Sequence, residues 1–205
     1  MLCGAATAHA VRFRDRDYYR CTGCLSVMMD PAVHLPPEAE KSRYDEHNND
    51  VNDAGYRNFV KPLVDTVLSK FTPGAAGLDY GAGPGPVAAV MLKEKGYQVE
   101  LFDPYYWSDS RLLEKKYDFI ICCEVIEHFY WPAREFHLLR SLLRPGGSLM
   151  CMTETIDDTF DFGQWYYKND PTHVFFYHPR ALRWIKEKYE FSILTVRKRV
   201  IHLEV

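Results

Sequence analysis

The stretch Leu78-Asp79-Tyr80-Gly81-Ala82-Gly83-Pro84-Gly85-Pro86 constrains this chain more than any other. An apolar residue and an acid run into a turn with glycine at every second position. Glycine supplies positive φ and lets a ligand approach the main chain closely. Pro86 suits the first turn of a helix, where a missing N–H costs nothing, and residues 87–95 read as that helix, stopped by Gly96. The segment is therefore strand, tight turn and helix, the ligand-binding corner of an open α/β sheet.

The turn also says what kind of ligand it suits. A dinucleotide site uses G-x-G-x-x-G or G-x-G-x-x-A, with N–H groups aimed at a pyrophosphate. Counted from Gly81, the third small position falls on Pro86. Pro84 and Pro86 remove two donors, and Asp79 brings negative charge toward any phosphate. These features disfavour NAD and suit a phosphate-free cation such as S-adenosylmethionine (SAM).

Further motifs follow in order: Val99-Glu100-Leu101-Phe102-Asp103, then Tyr117-Asp118-Phe119-Ile120-Ile121-Cys122-Cys123-Glu124-Val125-Ile126-Glu127-His128, then Leu142-Leu143-Arg144-Pro145-Gly146-Gly147. Together with Asp79-x-Gly81-x-Gly83-x-Gly85 they resemble the class I SAM-dependent methyltransferases over residues 41–205. The resemblance implies a Rossmann-like three-layer α/β fold with a mostly parallel sheet and a C-terminal antiparallel hairpin. It also implies an enzyme that methylates a small-molecule acceptor. Only fourteen residues lie between Asp103 and Asp118, too few for helix, strand and helix, so the usual third strand is expected to be reduced or missing.

The expected cofactor contacts are Asp79, Gly81, Ala82, Gly83 and Gly85 in the turn. Asp103 stands 18 residues beyond Gly85, where an acid accepts hydrogen bonds from ribose hydroxyls, with Pro104 and Tyr105 beside it. By resemblance, backbone near Cys123 and Glu124 touches the methionine part, while Tyr44, His47 and Tyr56 cover it. Asp170-Pro171-Thr172-His173-Val174 resembles a D-x-T-H segment of the family. His173, and His128 at the mouth of the sheet, are the candidate general bases; a histidine bonded to backbone is the plainer alternative for each.

Residues 1–40 stand apart as a zinc-ribbon-like segment and linker, with residues 41–205 as the SAM-binding domain. Cys21-Thr22-Gly23-Cys24 is a C-x-x-C knuckle, and seventeen residues separate Cys3 from Cys21, within zinc-ribbon spacing. A hairpin is expected between them, around residues 11–13 and 18–20. Three thiolates do not close a tetrahedral site, so His9 or His34 is sought as the fourth ligand, or the chain is a shortened form of a longer one. SAM is the expected cofactor, and bound zinc and a metal-free remnant of such a site both stay open. Cys122, Cys123 and Cys151 read as core.

Elsewhere, residues 31–41 read as a linker, 43–50 as a surface loop or short helix, 59–71 as an amphipathic helix carrying Phe59 on its apolar side, and 132–143 as a helix closed by Gly146-Gly147. Residues 154–177, with Phe160 and seven further rings, read as the substrate wall. The turn Arg197-Lys198-Arg199 reads as solvated. The 205 residues, 47% hydrophobic with net charge −3, carry no broad basic patch for nucleic acid. No apolar run approaches a membrane span of ~20 residues, and Ala-Thr-Ala-His-Ala lacks the leader of a signal peptide, so a cytoplasmic protein is expected. Two other classes stay open at this point: a nucleotide-linked oxidoreductase of Rossmann type, and a non-catalytic methyltransferase-like protein that binds a partner through the knuckle.

Overall fold

The computed structural model describes residues 1–46, 50–159 and 161–205; His47 and Phe160 lie outside the described residues. The chain opens with strands β1 (Thr7–Phe13), β2 (Arg16–Cys21) and β3 (Val27–Met29). They form an antiparallel ribbon whose hairpin is the expected one. Residues 31–41 are not a linker. A 3-10 turn over Pro31–Val33 leads into helix α1 (Pro37–Asp45), which starts on Pro37 because proline's fixed φ already matches the first helical position.

Helix α2 (Ala54–Lys70) begins five residues before the expected boundary, because Asp53 accepts from the Tyr56 N–H at 2.6 Å and caps it. Val60, Leu63, Val64 and Val67 fill its buried face. Phe59 departs from that face and is 37% exposed, with the Arg199 guanidinium 4.9 Å above its ring.

The remaining elements are β4 (Ala76–Tyr80), helix α3 (Val87–Lys93), β5 (Gln98–Phe102), β6 (Tyr117–Cys123), helix α4 (Pro132–Leu142), β7 (Leu143–Met152), helix α5 (Pro179–Lys188), β9 (Ile193–Arg197) and β10 (Val200–Glu204), with a two-residue β8 (Phe175–Phe176) that joins the ribbon; the other strands build the main sheet. Its six strands run in the order β5-β4-β6-β7-β10-β9. β4 to β7 are parallel, and β10 is antiparallel to both its neighbours. β5 is an edge: the connection to β6 holds only a 3-10 turn, Ser110–Glu114, as the short spacing required. α4 ends without glycine. β7 begins at once, and Gly146 and Gly147 lie inside it. A Cβ on Gly147 would stand 2.9 Å from the Arg144 carbonyl oxygen and 3.1 Å from that of Asp118, so close backbone packing at an irregular register fixes that glycine.

β6 is apolar from Phe119 to Cys123 because both its faces are covered there. Phe119 and Ile121 pack with Val60, Leu63 and Leu92 on the α2–α3 side. Ile120 and Cys122 pack with Leu139, Leu149 and Leu182 on the other. That second cluster continues through Tyr177 and Phe176 to Tyr18, Val27 and Met29 of the ribbon, and β3 pairs with β8. The aromatic connection 154–177 therefore serves packing. Tyr18, Phe162, Trp165 and Phe176 meet ring to ring at 5.0–6.1 Å, where a substrate wall was expected. No described helix is long and apolar enough to cross a membrane.

Candidate active site

A cavity of about 990 Å³ opens at the carboxyl ends of β4, β5 and β6, where open α/β sheets bind ligands. Its floor is the glycine turn. Gly81 takes φ +79° and donates its N–H to the Phe102 carbonyl at 2.8 Å. A Cβ there would lie 2.6 Å from both Val125 methyls, so only glycine fits. Gly83, at φ +60°, donates to Asp103 Oδ2 at 3.0 Å. Ala82, Pro84, Gly85 and Pro86 complete the lining of the turn.

Asp79, at the end of β4, is buried. Burial pushes its carboxyl up to about 7, against the pull of the Ala89 N–H and of Lys93. It thus serves one of the otherwise orphaned donors at the start of α3 while lining the cavity. Asp103 Oδ1 accepts from the Tyr105 and Tyr106 N–H groups at 2.8 and 3.2 Å. With the Gly83 bond, three of the roughly four acceptor positions of a carboxylate are filled, leaving capacity for one more partner. Pro104 and Tyr105 line the cavity beside it.

The roof is α1. Glu40 is buried, and its two oxygens accept the hydroxyls of Tyr44 and Tyr105 at 2.7 Å each. Asp45 accepts the Tyr106 hydroxyl at 2.6 Å. Arg43 reaches Asp170 Oδ2 at 2.8 Å. The helix is thereby tied both to the loop after β5 and to the segment bearing His173. Glu40 was missed because it sat in the supposed linker. The i,i+4 pairs Glu40–Tyr44 and Lys41–Asp45 were the available signal. The aromatic surface of the cavity comes from α1, α2, β4, β5 and the segment after β6, with Tyr44, Tyr56, Tyr80, Phe102 and Phe129 among its rings.

β6 delivers the other wall. Cys123 lines the cavity, its thiol pushed up by burial. Glu124 sits at φ +53°, a left-handed backbone costly for a side-chain-bearing residue. Its Oε2 accepts from the Tyr167 hydroxyl at 3.0 Å and from Arg199 at 2.5 Å. Burial, then the neighbouring Glu127, raises its carboxyl to about 7. Arg199 is no solvated turn residue: it bridges Glu124 and Glu154. The expectation failed because that pairing exists only once β10 lies antiparallel beside β7.

His128 and His173 meet, with ring centroids 4.8 Å apart. Asp170 accepts from the Thr172 N–H and hydroxyl at 3.0 and 2.6 Å, forming the turn that carries His173. Each imidazole donates Nδ1–H to a carbonyl, His128 to Thr172 at 2.9 Å and His173 to Tyr167 at 2.7 Å, which puts the acceptor lone pair on Nε2. Burial lowers the His128 pKa, keeping the ring neutral near pH 7. His47 lies outside the described residues.

In the ribbon, the sulfurs of Cys3, Cys21 and Cys24 lie within 4.8 Å of one another, Cys3 and Cys21 at 3.3 Å. His9 does not join them. It is exposed on β1 and paired with Asp17 at 3.0 Å, since the strand's alternation turns it away from the knuckle. His34 stacks on Tyr130 instead. Among the described residues no fourth side-chain ligand stands with the three sulfurs.

Residues 27–196 match the methyltransferase domain family, and the chain belongs to that family. Over 77 residues it is 32% identical to the ubiquinone biosynthesis O-methyltransferase of Klebsiella pneumoniae, a match covering 38% of this chain and 32% of that protein. The Histophilus somni protein of the same name is 33% identical over 102 residues, covering 48% and 42%. These matches span less than half the length of those curated relatives. Among solved structures, the Burkholderia thailandensis 1,6-didemethyltoxoflavin-N1-methyltransferase, with bound 1,6-didemethyltoxoflavin and S-adenosylhomocysteine, has TM-score 0.60 at 15% identity, covering 96% of this chain and 98% of that one. A SAM-dependent methyltransferase from Archaeoglobus fulgidus has TM-score 0.57 at 17% identity, covering 73% and 94%. At these identities the likeness is one of fold.

Proposed function

We propose that this protein is a SAM-dependent methyltransferase acting on a small-molecule acceptor. One observation carries the reading. Six carboxylate residues, Glu40, Asp79, Asp103, Glu124, Glu135 and Asp170, line the cavity, and no lysine or arginine is among the lining residues described. Such a cavity favours a cation and offers nothing to a pyrophosphate, which sets the dinucleotide reading aside. SAM fits this set of acceptors: Asp79 and Glu124 would hold its positive groups, Asp103 keeps an acceptor position for a ribose hydroxyl, and the glycine turn admits close backbone contact.

When bound, SAM supplies a methyl group already activated by a sulfonium. The protein's part is alignment and proton handling. Tyr44 and Tyr105, pinned by Glu40, cover the cavity and exclude water. His128 and His173 present Nε2 to an acceptor that must lose a proton. A hydroxyl is such an acceptor, and the curated relatives are O-methyltransferases by name. In the ribbon, Cys3, Cys21 and Cys24 would hold a zinc ion through their three sulfurs.

Calorimetry with S-adenosylhomocysteine tests the reading. Micromolar binding with no response to NAD is expected; NAD binding without S-adenosylhomocysteine binding would overturn it.

A further inference from the structure

Glu135 keeps an open carboxylate oxygen on the cavity wall. It stands in the first turn of α4, lines the cavity and is half-buried. Its Oε2 accepts the Tyr80 hydroxyl at 2.5 Å. Burial, then that bond, raises the Tyr80 hydroxyl far above its ordinary range, so the phenol is the donor and the carboxylate the acceptor. Among the described residues nothing donates to Glu135 Oε1, although a carboxylate offers roughly four acceptor positions. The helix beneath is anchored: Phe136, Leu139 and Leu142 are buried, and the Tyr189 hydroxyl donates to the Ala133 carbonyl at 2.7 Å. The wall beside Glu135 is aromatic. Tyr80 stacks on Phe102 with ring centroids 5.3 Å apart and meets Phe129 edge-on at 6.3 Å. Both rings line the cavity, as does Trp131, which is 57% exposed. No described strand lies beyond β5 on that side.

We propose that Glu135 accepts a hydrogen bond from the exocyclic amine of the adenine of SAM, and so selects a 6-amino purine. An acceptor oxygen set among flat apolar surfaces fits a planar base with an N–H donor on its rim. The contacts give the direction. Phe102 precedes Asp103 in the chain, Tyr80 stacks on Phe102, and the Tyr80 hydroxyl reaches Glu135. A ribose hydroxyl on Asp103 therefore leads the base along this wall toward Oε1. Tyr80 fixes the carboxylate and is a positioning residue. A purine without the amine leaves Oε1 unpaired in the cavity, and sites built around such a bond reject the analogue that lacks it. The assignment rests on the methyl-transfer reading.

Calorimetry of the full chain with two ligands is the test: S-adenosylhomocysteine and its 6-deamino analogue, whose purine carries hydrogen in place of the amine. Wild type is expected to bind S-adenosylhomocysteine about tenfold or more tighter than the analogue. Glu135→Ala should weaken S-adenosylhomocysteine to the level of the analogue, bringing that ratio to about one. Loss of a merely structural carboxylate would weaken both ligands together and leave the ratio as it was. Glu135→Gln keeps the size and a neutral acceptor, so it should reduce the ratio to about threefold; it carries the test if the alanine variant does not fold. Equal affinity of wild type for the two ligands, or a ratio that both Glu135 variants leave unchanged, overturns the assignment while the methyl-transfer reading stands. Wild type that binds neither ligand overturns that reading, and the assignment with it.

Discussion

Single residues set the electrostatics of the cavity. Asp79 is held up to about 7 by burial, against about 3.9 for a free aspartate. The folded state therefore binds the extra proton between these values, and this group's contribution to stability, full below pH ~4, falls away as pH rises through about 7. Asp79→Asn should flatten that part of the pH–stability curve in denaturant titrations, where a tenfold difference in acidity between folded and unfolded chain corresponds to roughly 1.4 kcal/mol. A cation in the cavity favours the ionised form, so wild-type S-adenosylmethionine affinity should rise between pH 6 and 8 and lose that dependence in Asp79→Asn. Gly81→Ala forces a Cβ into Val125 at positive φ; a loss of about 1–3 kcal/mol in stability and failure of S-adenosylhomocysteine binding are expected in melting and calorimetry. His173→Ala should lower kcat on a hydroxyl acceptor by about 100-fold or more while leaving S-adenosylhomocysteine affinity near wild type.

Among the elements, α1 matters most to the cavity. It has almost no apolar face of its own and contributes only Glu40 as a buried residue. Its position comes from polar ties: Glu40 to two tyrosines, Asp45 to Tyr106 and Arg43 to Asp170. A helix held this way opens at low cost, which suits a roof over an exchanging ligand. Glu40→Gln removes the charge from both hydroxyl bonds. Since a bond to a charged group contributes about 1.5–3 kcal/mol, it should weaken S-adenosylhomocysteine binding about tenfold, chiefly through faster release in stopped-flow measurements.

At the scale of the molecule, the ribbon and the main sheet share one hydrophobic cluster, joined through the β3–β8 pairing. Deleting residues 1–30 uncovers Phe175, Phe176 and Phe162 and unpairs a strand edge. Lower Tm and aggregation are expected, read by scanning calorimetry and light scattering, with any zinc lost from the knuckle in parallel.

The sequence by itself determined the glycine turn, the acid at the end of β5 and the missing strand, because each is written in local spacing: a turn demands its residue types within a few positions, and fourteen residues have no room for three elements. Tertiary structure alone decided what meets what across the fold. Arg199 reaches Glu124 from 75 residues away, Glu40 gathers Tyr105 from 65, the aromatic connection turns inward to the ribbon, and Glu127 finds His173 beside it. Those partners depend on which strand lies next to which and on burial that no local pattern encodes, since groups desolvated only when the sheet closes must then find hydrogen bonds and ion pairs that offset the cost.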